Sequence, residues 1–116
     1  MISNSVPIAE NYNTNKIFYY FNKYIQTIGI SLPKNVLEVG SGTANFPILL
    51  SLAQAHVNYV VIDLPEMLPV AAHQINNYVK NANILFPHQI KKLDLNKYKR
   101  GRNFFLLTPD DLQKIQ

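Results

Sequence analysis

VLEVGSGTA, residues 36–44, decides the fold. Val36 to Val39 is a short β-branched and apolar run, and it ends in Gly40-Ser41-Gly42. Such a run reads as a buried strand leading into a glycine turn. Glycine there lets the backbone take unusual dihedrals and come close to a ligand. A helix is expected from Asn45 to about Ala55, with Phe46, Leu49, Leu50 and Ala53 on one side. Pro47 sits near its start, where proline has no amide to waste. Tyr59 to Leu64 reads as a second buried strand. A further helix runs to about Val79, with Leu68, Ala71, Ala72, Ile75, Tyr78 and Val79 facing inward. Pro65 and Pro69 fall in its opening turns, and Pro69 is expected to cost one backbone hydrogen bond. Strand, glycine turn, helix, strand, helix is a βαβ unit with parallel strands. The expected fold class is therefore α/β, three layers built on a parallel sheet.

Outward from this unit the signals are simpler. Asn15 to Ile28 reads as a helix, with Thr14 as its cap and Gly29 as its stop. Ile17, Phe18, Phe21, Tyr24, Ile25 and Ile28 are spaced for one face. Pro33 then breaks the chain. Residues 1–33 are accordingly an N-terminal helical segment, and residues 34–116 the α/β part. Beyond Lys80, Asn83 to Phe86 is a candidate short strand. Asn103 to Thr108 (NFFLLT) is the better third strand by composition. Strands at 36–39, 59–64 and 103–108 should all be parallel, with the second between the other two.

At 116 residues the chain suits one domain with a single core. It has no cysteine, hence no disulfide framework and no thiolate metal site. No metal site is expected. No apolar run approaches the roughly 20 residues of a membrane helix. The opening MISNSVPIAEN has no basic residue and no long apolar block, so it does not read as a signal peptide. A cytoplasmic location without membrane contact fits. The net charge of +4 is unevenly placed. Residues 1–90 balance their lysines against Glu10, Glu38, Asp63 and Glu66, while Lys91 to Arg102 carries six basic residues. Such a run reads first as a solvated loop. It lacks a recognisable nucleic-acid module, so no nucleic-acid partner is expected.

Two carboxylates give the glycine turn a chemistry. Glu38 is the sole charged residue in its apolar run, two positions before Gly40. An unpartnered carboxylate there is costly. A cationic ligand, or amides of the next turn, would satisfy it. Asp63 ends the second strand, 23 residues after Gly40. An acid at that spacing can accept hydrogen bonds from both hydroxyls of a ribose, or simply cap the next helix.

On these residues, VLEVGSGTA resembles the E-x-G-x-G-x-G signature of class I S-adenosylmethionine-dependent methyltransferases. VIDLPEML resembles the second motif of that family. The resemblance implies a Rossmann-like fold and S-adenosylmethionine as cofactor. It implies that Glu38 faces the methionine end through the turn, that Gly40, Ser41 and Gly42 wrap the cofactor, and that Asp63 binds ribose. Ala44 departs from the family, which commonly has a third glycine there. A further acid after the third strand often contacts adenine in the family. Asp94 suits the usual spacing and Asp110 the strand context, and Asp110 is favoured. IDLPEML, LFPHQI and FFLLTPDDL together resemble sugar O-methyltransferases of bacterial surface-polysaccharide pathways. The acceptor implied is a sugar or other small-molecule hydroxyl.

No catalytic residue can be named. His56, His73 and His88 sit in no triad and no metal-ligand spacing. The family's later strands, which carry acceptor-binding and catalytic groups, have no counterpart in these residues, so the chain reads as a cofactor-binding half, inactive alone. An unpaired first strand would leave an open apolar edge and a route to self-association. The competing readings are a dinucleotide-binding module and a non-catalytic remnant. Against the former, Asn45 stands where G-x-G-x-x-G needs its third glycine.

Overall fold

The computed structural model describes residues 12–115, with side chains from residue 19 onward. In chain order the elements are α1 (Tyr12–Ile28), β1 (Asn35–Val39), α2 (Asn45–Leu52), β2 (Val57–Ile62), α3 (Leu68–Tyr78), β3 (Asn83–Leu85) and β4 (Arg102–Leu107). Short 3-10 turns occupy Pro87–Gln89, Leu95–Lys97 and Pro109–Ile115. The sheet order is β1-β2-β4-β3, and every pairing is parallel. β2 thus lies between the first strand and NFFLLT, as its apolar run of β-branched residues requires. The expected three strands become four, because Asn83–Leu85 does pair, on the far side of β4.

The two sheet faces hold two cores. On one, Val57, Tyr59, Val61, Phe104 and Leu106 pack with Ile48, Leu49 and Leu50 of α2 and with Leu68, Ala71, Ala72 and Ile75 of α3. On the other, Val60, Ile62, Phe105 and Leu107 pack with Ile90, supported by half-buried Leu93, Leu95, Tyr98 and Ile115. Among the described residues, that second face is covered by irregular chain and 3-10 turns and not by α-helices. β2 is buried at all six positions because it has a strand on each side and cover on both faces.

β1 is the edge strand that the expected order implies, which corrects the reading of it as buried. It pairs with β2 alone, and Leu37 and Val39 are 52% and 73% exposed. Only its other face, through Val36, reaches a core. The covered face carries Val36 and Glu38 and the exposed face Leu37 and Val39, so the apolar run does not mark which face is covered.

The helices need smaller corrections. α1 includes Thr14, which therefore cannot cap it. Gly29 does end it, at φ 80°, with Ile30 N–H donating to Ile25 O and Gly29 N–H to Gln26 O. This paired pattern satisfies two of the helix's last carbonyls. Of the expected face, Ile25 is buried and Phe21 half-buried against Phe46, while Tyr24 and Ile28 are exposed. Ile17 and Phe18 lie outside the described side chains. Pro47 is the third residue of α2, still ahead of the first helical bond, from Ile48 N–H to Ala44 O. Ala53 lies beyond α2 and is exposed. Pro69 is the second residue of α3, where an amide has no helical acceptor, so it costs no hydrogen bond.

One feature spans the whole sheet. Each strand begins with an asparagine at its first or second residue, and the registers align Asn35, Asn58, Asn103 and Asn83. Asn83 Nδ2 donates to Asn103 Oδ1 (3.1 Å), Asn103 Nδ2 to Asn58 Oδ1 (2.9 Å), and Asn58 Nδ2 to Asn35 Oδ1 (3.0 Å). The two inner amides are 4% and 2% exposed, and each also donates to a loop carbonyl: Asn103 to Arg100 O and Asn58 to Tyr98 O. Buried amides require such partners.

Candidate functional site

The site forms at the carboxyl ends of β1 and β2. Gly40 N–H donates to Ile62 O at 2.8 Å, which ties the turn to the end of β2. Gly40 and Gly42 have φ of 76° and 60°, values glycine takes without strain. A Cβ built on either would meet nothing within 4 Å, so both flank open space. Ala44 closes the turn at φ 66° and ψ 31°, left-handed and fully buried. Position 44 is thus one where glycine is conformationally favoured.

Ala44→Gly has a balanced expectation. Relief of the left-handed strain gains about 1–2 kcal/mol. The freer unfolded chain costs about 0.4–1 kcal/mol, and the lost methyl about 0.8 kcal/mol. Stability in urea unfolding should therefore stay within about 1 kcal/mol of the parent. A loss of about 2 kcal/mol or more would mean that packing of the methyl outweighs the strain.

Within the turn, Ser41 Oγ and Asn45 Oδ1 are buried with no hydrogen-bond partner among the described residues. Asn45 is 5% exposed, and its amide nitrogen donates to Thr43 Oγ1 at 2.7 Å. Orphaned buried oxygens are uncommon and mark places where a donor belongs.

Asp63 stands just past β2. Its Oδ2 accepts Gly42 N–H at 3.2 Å and its Oδ1 accepts Leu64 N–H at 2.8 Å. A carboxylate has about four acceptor sites, so these two bonds leave capacity for a ligand. Glu38, half-buried on β1, accepts the Tyr59 hydroxyl on Oε1 at 2.9 Å. Its Oε2 has no partner among the described residues. Burial pushes the Glu38 carboxyl above the usual carboxylate range; the Tyr59 hydrogen bond opposes the rise and the charge of Asp63 adds to it. Burial, then the charge of Glu38 and the hydrogen bond to it, hold Tyr59 firmly protonated, as the donor. Tyr59 was not legible as a partner of Glu38 in the sequence. The signal lies in strand register, which sets Glu38 against Val61 and leaves Tyr59 diagonal to it on the same face.

A folded-state pKa above the unfolded value means that folding disfavours the charged carboxylate. The resulting penalty is absent below the ordinary value of 4.5 and grows as pH rises through the folded value. Glu38→Gln should therefore melt higher than the parent at pH 7. The gap should close as pH falls below 4.5. Thermal denaturation at the two pH values checks this; a variant that melts lower at pH 7 would show that the carboxylate stabilises the fold.

Glu38, Gly40, Ser41, Gly42 and Asp63 are thus brought together. Asp110 lies at the same end of the sheet, beyond β4, but is exposed and touches none of them through a hydrogen bond. Its neighbour Asp111 takes the inward role, accepting Thr108 N–H at 2.9 Å and Thr108 Oγ1–H at 2.8 Å and pairing with Lys114 at 2.9 Å. The Thr108 amide, with help from Lys114, lowers the Asp111 carboxyl to about 2. Asp94 is on the second face. It caps the turn at Leu95–Lys97 through Asn96 N–H and lines a cleft with Ile90, Tyr98 and Phe105. His56 Nδ1–H donates to Gly101 O, His73 contacts Asn77, and His88 stacks on Phe86. None reaches the turn. No group of three or more His, Cys, Asp and Glu able to hold a metal occurs among the described residues. No helix among them is long and apolar enough to cross a membrane.

Comparison with protein-family models, with curated proteins and with solved structures finds no match to this chain.

Proposed function

We propose that the glycine turn after β1 binds S-adenosylmethionine, and that the chain is the cofactor-binding part of a methyltransferase acting on a hydroxyl of a sugar or another small molecule. The reading rests on one arrangement: Glu38 and Asp63, from adjacent strands, stand on either side of a glycine turn whose outer flank is open. In a parallel α/β sheet, ligands sit beyond the carboxyl ends of the strands, where these groups are. The cofactor carries an ammonium and a sulfonium, and the raised pKa of Glu38 marks a carboxylate that gains from a cation nearby. Its donors also suit the orphaned Ser41 Oγ and Asn45 Oδ1.

Glu38 would hold the methionine end through the turn. Gly40, Ser41 and Gly42 would follow the cofactor backbone, and Asp63 would take the ribose hydroxyls. Asp110 would reach the adenine amino group. When bound, the cofactor supplies an electrophilic methyl for transfer to a nucleophile; the chain's part is to bind and orient it. Dinucleotide binding is the weaker reading, because a pyrophosphate gains nothing from an acid at position 38.

Calorimetry on the whole chain tests the reading. S-adenosylmethionine or S-adenosylhomocysteine should bind more tightly than NAD. Tighter binding of NAD would overturn it.

A further inference from the structure

The amino-terminal end of the sheet, opposite the glycine turn, carries a second cleft. Lys34, Asn35, Asn58, Asn96, Tyr98 and Lys99 are among the residues that line it. β1 separates it from the turn by about 17 Å, at about 3.3 Å per strand residue. No carboxylate lines it. Asp94, the nearest acid in sequence, is engaged by the Asn96 amide. Among the described residues, neither Lys34 nor Lys99 has a salt-bridge partner, since the one ion pair is Lys114 with Asp111.

The asparagine ladder gives this cleft its polarity. Backbone carbonyls can only accept, so Tyr98 O and Arg100 O fix the amide nitrogens of Asn58 and Asn103. With those two set, every bond in the ladder donates toward β1. Asn35 receives the last one on Oδ1, and among the described residues its Nδ2 is left as a pair of unspent donors at the exposed end. His56 spends its Nδ1 proton on Gly101 O, 2.8 Å away, so that N–H is not offered to the cleft.

We propose that this cleft is a binding site for a phosphate-type dianion, inorganic phosphate or the phosphate of a small monoester, held by Lys34, Lys99 and the Asn35 amide. Two unpaired ammonium groups match its charge. The donors around them, with no competing carboxylate, match its acceptor oxygens. The proposal is independent of the cofactor reading, since it involves the other end of the sheet.

The test is titration of the isotope-labelled whole chain with inorganic phosphate at constant ionic strength, chloride as the balancing ion, followed through backbone amide shifts. Saturable shifts should centre on Asn35, His56, Asn96 and Lys99. Lys34→Ala with Lys99→Ala should weaken binding by at least about tenfold, the scale of charge-assisted hydrogen bonds. Asn35→Asp is the sharper variant. It still accepts the Asn58 bond and keeps the ladder, but turns a carboxylate oxygen to the cleft, and it should abolish saturation. Affinity within twofold of the parent in either variant would overturn the proposal. So would equal shifts with chloride alone. A single-stranded oligonucleotide that binds more tightly than phosphate and is indifferent to Asn35→Asp would also overturn it, assigning the Lys91–Arg102 stretch to nucleic acid instead.

Discussion

Asn58→Asp should remove roughly 3–5 kcal/mol of folding stability at pH 7, the range seen when a buried charge loses its partner. The substitution keeps the shape of the side chain and changes only its chemistry. Asn58 is 2% exposed and makes three hydrogen bonds, two of them as donor. An aspartate keeps the bond from Asn103 and has nothing to give Tyr98 O. Asn35, at the surface, can turn its amide to donate, but Tyr98 O is backbone and cannot change its role. The new carboxylate is also desolvated, so its folded pKa must exceed the unfolded one. The loss is therefore largest at pH 7 and shrinks as pH falls through the folded value, because a protonated acid regains a donor for Tyr98 O. Asn58→Ala removes the bonds without the charge and should cost less, about 1–3 kcal/mol. Urea unfolding at pH 7 and pH 5 separates the cases. An aspartate variant no weaker than the alanine variant at pH 7 would sink the account.

On the proposed function, weaker S-adenosylmethionine binding is the second large effect. Glu38→Gln and Asp63→Asn should each weaken it by about 1.5–3 kcal/mol, roughly ten- to 150-fold. The two substitutions differ in what else they disturb. Glu38→Gln can still accept the Tyr59 hydroxyl, and it should melt higher while binding worse. That split separates loss of a ligand contact from loss of the fold, and it matches the common opposition of site chemistry and stability. Asp63→Asn has only one acceptor oxygen for Gly42 N–H and Leu64 N–H, so it loosens the turn as well. Because both residues border one turn, the double variant need not show the sum. Calorimetric affinity that is indifferent to both changes would remove Glu38 and Asp63 from the site.

The βαβ core was legible because its signals are local. The run into Gly40-Ser41-Gly42, the apolar periodicity after Leu68 and the β-branched run before Asp63 each fix an element within about ten residues. What was not legible depended on distant pairing. Val36 to Val39 reads as apolar whether the strand is central or at an edge, and only the sheet order exposes Leu37 and Val39. Asn83 to Phe86 reads as a candidate short strand and Asn83–Leu85 is one, but its partner is about twenty residues away, and the pairing has no local signal. Arg102 reads as one more charge in a basic run. In the fold its Nε donates to Ser51 O (2.7 Å) and Gln54 O (3.2 Å), satisfying the end of α2. The cofactor residues proposed from the sequence meet at one turn except Asp110, because the position of an acid after a strand says where it emerges and not where it points. The ladder did have a sequence signal. Asn35, Asn58, Asn83 and Asn103 each precede an apolar strand residue, a repetition across four strands that periodicity within one strand does not reveal.

That repetition bears on how the chain finds its fold. Alternating faces penalise a strand that slips by one residue, since every side chain then points the wrong way. A slip of two leaves each apolar residue on its proper face, and burial alone scarcely distinguishes it from the native pairing. In this sheet such a slip would set an asparagine opposite Val60 or Phe105 and strand a buried amide without a partner. All four strands are parallel and joined by long crossovers, the arrangement in which pairing is slowest and errors have most time to form. The ladder therefore works as a proofreading mark, and replacing an end rung such as Asn83 by valine should lower the yield of correctly refolded protein more than it lowers the melting temperature.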